Sequence, residues 1–122
     1  MKLINNFFRV LETSIGELGF SSIIKLNPDH IVYTGHFPGH PVTPGVIQLQ
    51  IVHELLENHF DKNLRLITLP NCKFLKILNP KEILQLVVYI EFSRTVDELT
   101  IKARGENGRD IFFKLSATYQ FI

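Results

Sequence analysis

Gly35-His36-Phe37-Pro38-Gly39-His40-Pro41-Val42-Thr43-Pro44-Gly45-Val46, running into the apolar residues 47–56, decides the fold of this chain. Pro38, Pro41 and Pro44 fix φ in close succession, while Gly39 and Gly45 permit backbone geometries or close approaches that other residues resist. Because the prolines already restrict the unfolded chain, ordering such a loop costs little entropy. Thr43 suits a helix N-cap, and Pro44 suits the first helical position, where a missing N–H is no loss. Val46, Ile47, Leu49, Ile51, Val52, Leu55 and Leu56 cover more than one helical face. That pattern predicts a helix buried on most sides, as when a sheet wraps around it. Its polar residues Gln50, His53, Glu54 and Glu57 fall at i, i+3, i+4 and i+7, one continuous stripe. A stiff loop that holds His36 beside a helix N-terminus is a candidate chemical site.

On either side of this segment the sequence is strand-like. Residues 7–13 and 20–26 carry the aromatic and β-branched content of strands, with Gly16 and Gly19 marking the turn between them. Residues 31–33 read as a short extended lead into the loop. Beyond the helix, residues 64–69 and 73–78 predict one long bent strand, interrupted at Pro70-Asn71. Residues 79–82 form a turn, 83–92 a strand, 91–97 a connection and 99–104 the next strand. Asn107-Gly108 is a strong hairpin signal, and residues 111–121 close the sheet. The expectation is α+β, an antiparallel sheet of five to six strands around one long central helix, with residues 1–122 as a single domain.

Composition narrows the function. A formal net charge of +1 gives no general case for nucleic-acid binding or a polybasic membrane anchor. The single cysteine, Cys72, reads as a core thiol and completes no CxxC or Cys/His ligand set. His36, His40 and His53 gain no carboxylate or thiol at a recognised metal-ligand spacing, so neither metal nor cofactor is expected. His40 is expected at the surface, and His53 with Glu57 as an i,i+4 pair. No apolar h-region opens the chain and no apolar run approaches the ~18 residues of a membrane span. A cytoplasmic, soluble protein is the expectation.

From His36 to Val46 the sequence resembles the 3-hydroxyacyl-acyl carrier protein dehydratases of type II fatty acid synthesis. Their motif, His-Phe-Pro-Gly-x-Pro-(Val/Ile)-x-Pro-Gly-Val, has nine fixed types in eleven positions, and this chain has them all. The resemblance implies the hotdog fold and a dimer with sheets joined edge to edge and active sites at the interface. Trimers of dimers also occur in the family. It implies that His36 removes the α-proton of a 3-hydroxyacyl thioester while a backbone N–H at Gly45 holds the thioester oxygen. Phe37, Pro38, Gly39, Thr43 and Val46 would line the substrate path. Lys73, Lys76 and Lys81 would form a basic docking patch for the acidic carrier protein.

The family's second catalytic group is a carboxylate fourteen residues after the histidine, where this chain has Gln50. Glutamine donates and accepts hydrogen bonds but cannot act as a general acid. Three functions therefore compete. The chain is a dehydratase with His36 as base and Gln50 orienting the hydroxyl or a water. Alternatively it is a non-catalytic or half-site subunit that binds acyl-carrier thioesters and pairs with a carboxylate-bearing homologue. A hotdog thioesterase is the third possibility. Glu54, one turn beyond Gln50, is displaced by ~6 Å along the helix and is expected to be solvated or paired rather than a substitute.

Overall fold

Along residues 19–26, alternate side chains are buried: Phe20, Ser22, Ile24 and Leu26 face inward and the residues between them are partly exposed. This period of two is the signature of a sheet with one face on the core. The computed structural model describes residues 2–34 and 39–122. Its elements are β1 (Phe8–Ile15), β2 (Gly19–Leu26), a short 3-10 turn (Ile31–Tyr33), α1 (Gly45–Phe60), β3 (Leu64–Phe74), β4 (Gln85–Arg94), β5 (Glu98–Asn107) and β6 (Asp110–Phe121). The strands form one antiparallel sheet in the order β1-β2-β4-β5-β6-β3, with β1 and β3 at its edges. Helix α1 packs on the inner face through Ile47, Ile51, Val52, Leu55 and Leu56. Against it lie Ile24, Leu86, Val88, Ile101, Phe113 and Tyr119, all essentially inaccessible to solvent. The helix ends at Asp61, whose left-handed φ of 51° lets its N–H cap the carbonyl of Glu57.

The expected element order holds, and the differences are local. Residues 31–33 are not extended but coil into the 3-10 turn, because His30 Nδ1 accepts the Val32 N–H at 3.0 Å and caps it. The long bent strand is β3, with irregular pairing between Thr68 and Asn71. Pro70 has no N–H for a ladder and is tolerated there on an edge strand. Residues 75–78 leave the sheet, and the Leu78 carbonyl takes the N–H of Thr43 at 2.9 Å. Strand β4 runs on to Arg94, shortening the predicted connection to residues 95–97. The last hairpin turns at Gly108-Arg109, one residue later than Asn107-Gly108. Asn107 stays in the ladder, its Nδ2 donating to the Gln85 carbonyl at 2.8 Å, and Gly108 supplies the positive φ of 59°.

Candidate active site

The helix N-terminus is built by three contacts. Pro44, not Thr43, is the N-cap, and among the described residues no side chain caps this end of the helix. Thr43 is buried and its hydroxyl is engaged elsewhere, 2.8 Å from the Tyr33 hydroxyl. Burial pushes Tyr33 up to about 12, against a smaller opposing effect of that hydrogen bond. The Thr43 carbonyl accepts Gln48 Nε2 at 3.0 Å, tying the loop to the first turn of α1. Gly45 packs edge-on to β3: a Cβ there would meet the Phe74 ring at 2.5 Å. A side chain at position 45 would have to displace that ring. Ile47 and Gln48 already donate to the Pro44 carbonyl, at 3.0 and 3.1 Å, so the donors this helix end offers an anion or a polarised carbonyl are the N–H groups of Gly45 and Val46.

The polar stripe of α1 is a bonded network. Glu54 is only 4% exposed. Its carboxylate accepts the Leu3 N–H through both oxygens, at 2.8 and 2.9 Å, and the Ile4 N–H at 2.8 Å. Gln50 Nε2, one turn earlier, donates to Glu54 Oε2 at 2.9 Å. Glu54 is therefore a paired carboxylate rather than a solvated one, and its task is to anchor the N-terminal segment to the helix. Further along, His53 Nε2 lies 3.4 Å from Glu57 Oε2, which also accepts the Leu64 N–H at 2.8 Å.

His36, Phe37 and Pro38 lie outside the described residues. Of the others singled out by sequence, Gly39 is exposed with φ 88°, and Val46 stands 71% exposed beside Gly45. Lys73, Lys76 and Lys81 are all exposed, but Lys76 is paired to Asp110 at 2.5 Å and Lys81 sits in the turn capped by Asn79. Lys73 stands opposite Lys114, which stands opposite Arg104, so three cations cross β3, β6 and β5 in one outward row. Lys114 and Arg104 were not singled out by sequence, since their alignment with Lys73 depends on strand register.

Two buried oxygens lack partners among the described residues, Gln48 Oε1 and the Tyr119 hydroxyl. Burial, with Cys72 and Glu57 nearby, pushes the Tyr119 phenol well above its usual range. Cys72 is half-buried against the core and its thiol is likewise pushed up. Among the described residues, no three His, Cys, Asp or Glu side chains gather as a metal site. Nor is any described helix long and apolar enough to cross a membrane.

Residues 15–113 match the family model of ApeI-like proteins, described as ApeI dehydratase. The 3-hydroxyacyl-[acyl-carrier-protein] dehydratase FabZ of Rickettsia canadensis is 30% identical over 111 residues, covering 80% of this chain and 76% of the relative. FabZ of Rickettsia akari is 30% identical over 97 residues, covering 71% and 65%. The dehydratase heterocomplex ApeI:P from Xenorhabdus doucetiae superposes with a TM-score of 0.68 at 18% identity, over 91% of this chain and 96% of that one. A conserved protein from Pseudomonas aeruginosa superposes with a TM-score of 0.64 at 10% identity, over 96% and 90%. The architecture is the hotdog fold.

Proposed function

The chain belongs to the ApeI-like dehydratase family, and from that premise we propose that it eliminates water from 3-hydroxyacyl thioesters carried on an acyl carrier protein. The observation that carries this reading is the join between the His36–Val46 motif and an uncapped helix N-terminus held against Phe74. In the proposed reaction, neutral His36 takes the α-proton. The released electron pair forms the new carbon–carbon double bond, and the 3-hydroxyl departs as water by taking a proton back from the His36 imidazolium, which restores the neutral base. Charge building on the thioester oxygen is stabilised by the N–H groups at Gly45, a preorganised donor at the positive end of a helix. Imidazole has a reference pKa near ~6.5 and suits the base role near neutral pH.

Gln50 has no proton to give as an acid, and Glu54 is committed to Leu3, Ile4 and Gln50. Losing general acid catalysis typically costs ~10²–10⁴-fold, so this chain by itself is a slow dehydratase. Phe37, Pro38, Gly39, Thr43 and Val46 form the approach for the acyl chain in this scheme, and Lys73, Lys76 and Lys81 dock the carrier protein. Exposed Val46, Phe74, Leu75 and Ile77 gather at one end of the molecule, through the Gly45–Phe74 and Thr43–Leu78 contacts. Such a patch fits a second hotdog subunit laid along the β3 edge. The test is enoyl-thioester formation by the purified protein from a 3-hydroxyacyl-carrier substrate. Slow turnover abolished by His36→Ala supports the reading; turnover that survives His36→Ala refutes it.

The commitment of Glu54 favours a second reading, a half-site subunit whose partner homologue supplies the missing carboxylate. The solved ApeI:P complex is described as a dehydratase heterocomplex. Under this reading the protein alone is inert and a carboxylate-bearing homologue restores turnover in the mixture.

A further inference from the structure

A glutamine amide presents a donor at one end and an acceptor at the other in nearly the same shape, so its neighbours decide which end faces where. For Gln50 the decision rests with Glu54. An ionised carboxylate accepts and never donates, so only the NH2 end of Gln50 can face it, as the 2.9 Å contact from Nε2 to Oε2 records. Glu54 cannot swing away to release that choice. It is 4% exposed and anchored by the Leu3 and Ile4 backbone N–H groups, three contacts of 2.8–2.9 Å. The carbonyl end of Gln50 is consequently the end turned away from Glu54. A carbonyl oxygen has two lone pairs and accepts a hydroxyl proton alongside another neighbour.

We propose that Glu54 is a positioning residue that fixes Gln50 as a hydrogen-bond acceptor toward the acyl chain, so that the site selects a 3-hydroxyacyl over a 3-oxoacyl thioester. The inference rests on the reaction proposed above and adds the origin of its substrate preference. A 3-hydroxyl donates its proton to the Gln50 carbonyl. A 3-oxo group has only lone pairs to offer and meets another acceptor. The N-terminal segment belongs to the same device, because its backbone donors hold Glu54 in place.

The chain makes an unusual prediction for Glu54→Gln. The Leu3 and Ile4 N–H groups still require an acceptor, so the substituted amide turns its oxygen to them and its NH2 to Gln50. Gln50 then presents its oxygen to position 54 and its NH2 to the site. Acceptor becomes donor without any change in shape or volume.

The experiment compares dissociation constants for 3-hydroxyacyl, 3-oxoacyl and saturated acyl pantetheine thioesters of equal chain length. It is done on the full chain carrying His36→Ala, which stops turnover. A neutral hydrogen bond gained by one ligand and replaced by an acceptor–acceptor contact in the other corresponds to roughly five- to tenfold. The expected result is that preference for the 3-hydroxyacyl form, falling below twofold or reversing in Glu54→Gln while saturated-chain affinity holds. A purely structural Glu54 would weaken all three ligands together. Should Glu54→Gln fail to fold, Gln50→Leu removes the acceptor itself and is expected to erase the preference. A 3-hydroxyacyl preference that survives either folded variant overturns the inference, as does its absence from the chain with residues 50 and 54 unchanged. Binding of all three thioesters without preference leaves the proposed reaction standing; binding of none overturns both.

Discussion

Gln50→Glu restores the carboxylate that the family motif calls for, and its setting makes the outcome calculable. The new carboxyl would face Glu54 at about the separation of the present amide, whose Nε2 is 2.9 Å from Oε2. Two negative charges that close repel by roughly 6 kcal/mol at an effective dielectric of about 20, before the side chains relax. The pair therefore retains one proton well above the usual carboxylate range. Leu3 and Ile4 point their N–H donors at Glu54, so the retained proton belongs on the side chain at position 50. That is the protonated form a departing hydroxyl needs.

Turnover of a 3-hydroxyacyl-carrier substrate should rise by ~10²–10⁴-fold, the usual scale of general acid catalysis. Enoyl product can be followed by its ultraviolet absorbance and confirmed by mass. Stability supplies an independent check. The raised folded-state pKa means that stability is fully present below the unfolded carboxylate value near ~4.3 and is lost as pH climbs through the raised one. The melting temperature of Gln50→Glu should therefore fall between about pH 5 and about pH 8 relative to the unsubstituted chain. A folded Gln50→Glu that shows this pH-dependent loss yet turns over no faster would sink the claim that only the acid is missing.

Four further outcomes follow from the packing. Glu54→Ala strands the backbone donors of Leu3 and Ile4, at a cost of about 2–4 kcal/mol; differential scanning calorimetry should show the melting point lower by roughly 8–16 °C. In Gly45→Ala the added Cβ meets the Phe74 ring at 2.5–2.9 Å, so about 1–2 kcal/mol should be lost, and Phe74→Leu in the same chain should recover most of it in denaturant titrations. Tyr119→Phe removes a buried hydroxyl that has no hydrogen-bond partner among the described residues, so unfolding free energy should stay level or rise by up to about 1 kcal/mol. His59 stacks on Phe20 at a centroid separation of 4.0 Å, and burial lowers its pKa. The unfolded chain then takes up the proton first, so stability is full above about pH 6.5 and declines as pH falls through the lowered value; His59→Gln should flatten that decline in thermal melts.

Much of this was legible in the sequence because the relevant signals are local. Prolines and glycines bracket the loop, the period of two marks β2, and the apolar run of α1 predicts its burial. What was not legible depends on partners far along the chain. Thr43 loses the N-cap role because the Tyr33 hydroxyl, ten residues earlier, claims its side chain. Glu54 meets backbone groups some fifty residues away, and no pattern near position 54 announces them. Gln48 is buried at 2% exposure on the face it shares with Ile51, Val52 and Leu55; helical spacing puts it inside, and only its residue type argues against that. The cationic row through Lys73 needs the register of β3 on β6 and of β6 on β5, which no single strand encodes.

The chemistry of the site divides along the same line. The proposed base and the proposed thioester-oxygen donor lie in one short stretch, His36 to Val46, so a sequence motif can hold both. The acid depends on which turn of α1 faces the reacting atoms. One helical turn is ~5.4 Å, and reacting groups must approach to about 3–3.5 Å. A carboxylate at Glu54 is thus a different object from a carboxylate at position 50, even though both lie on one stripe. In this chain the carboxylate one turn along holds the N-terminal segment and sets the polarity of the amide that stands where the acid would be. In the proposed scheme two groups of the reaction are kept and the third position becomes a recognition element. That combination suits a protein that must hold a 3-hydroxyacyl chain, whether it eliminates the water slowly by itself or with a carboxylate from a second subunit.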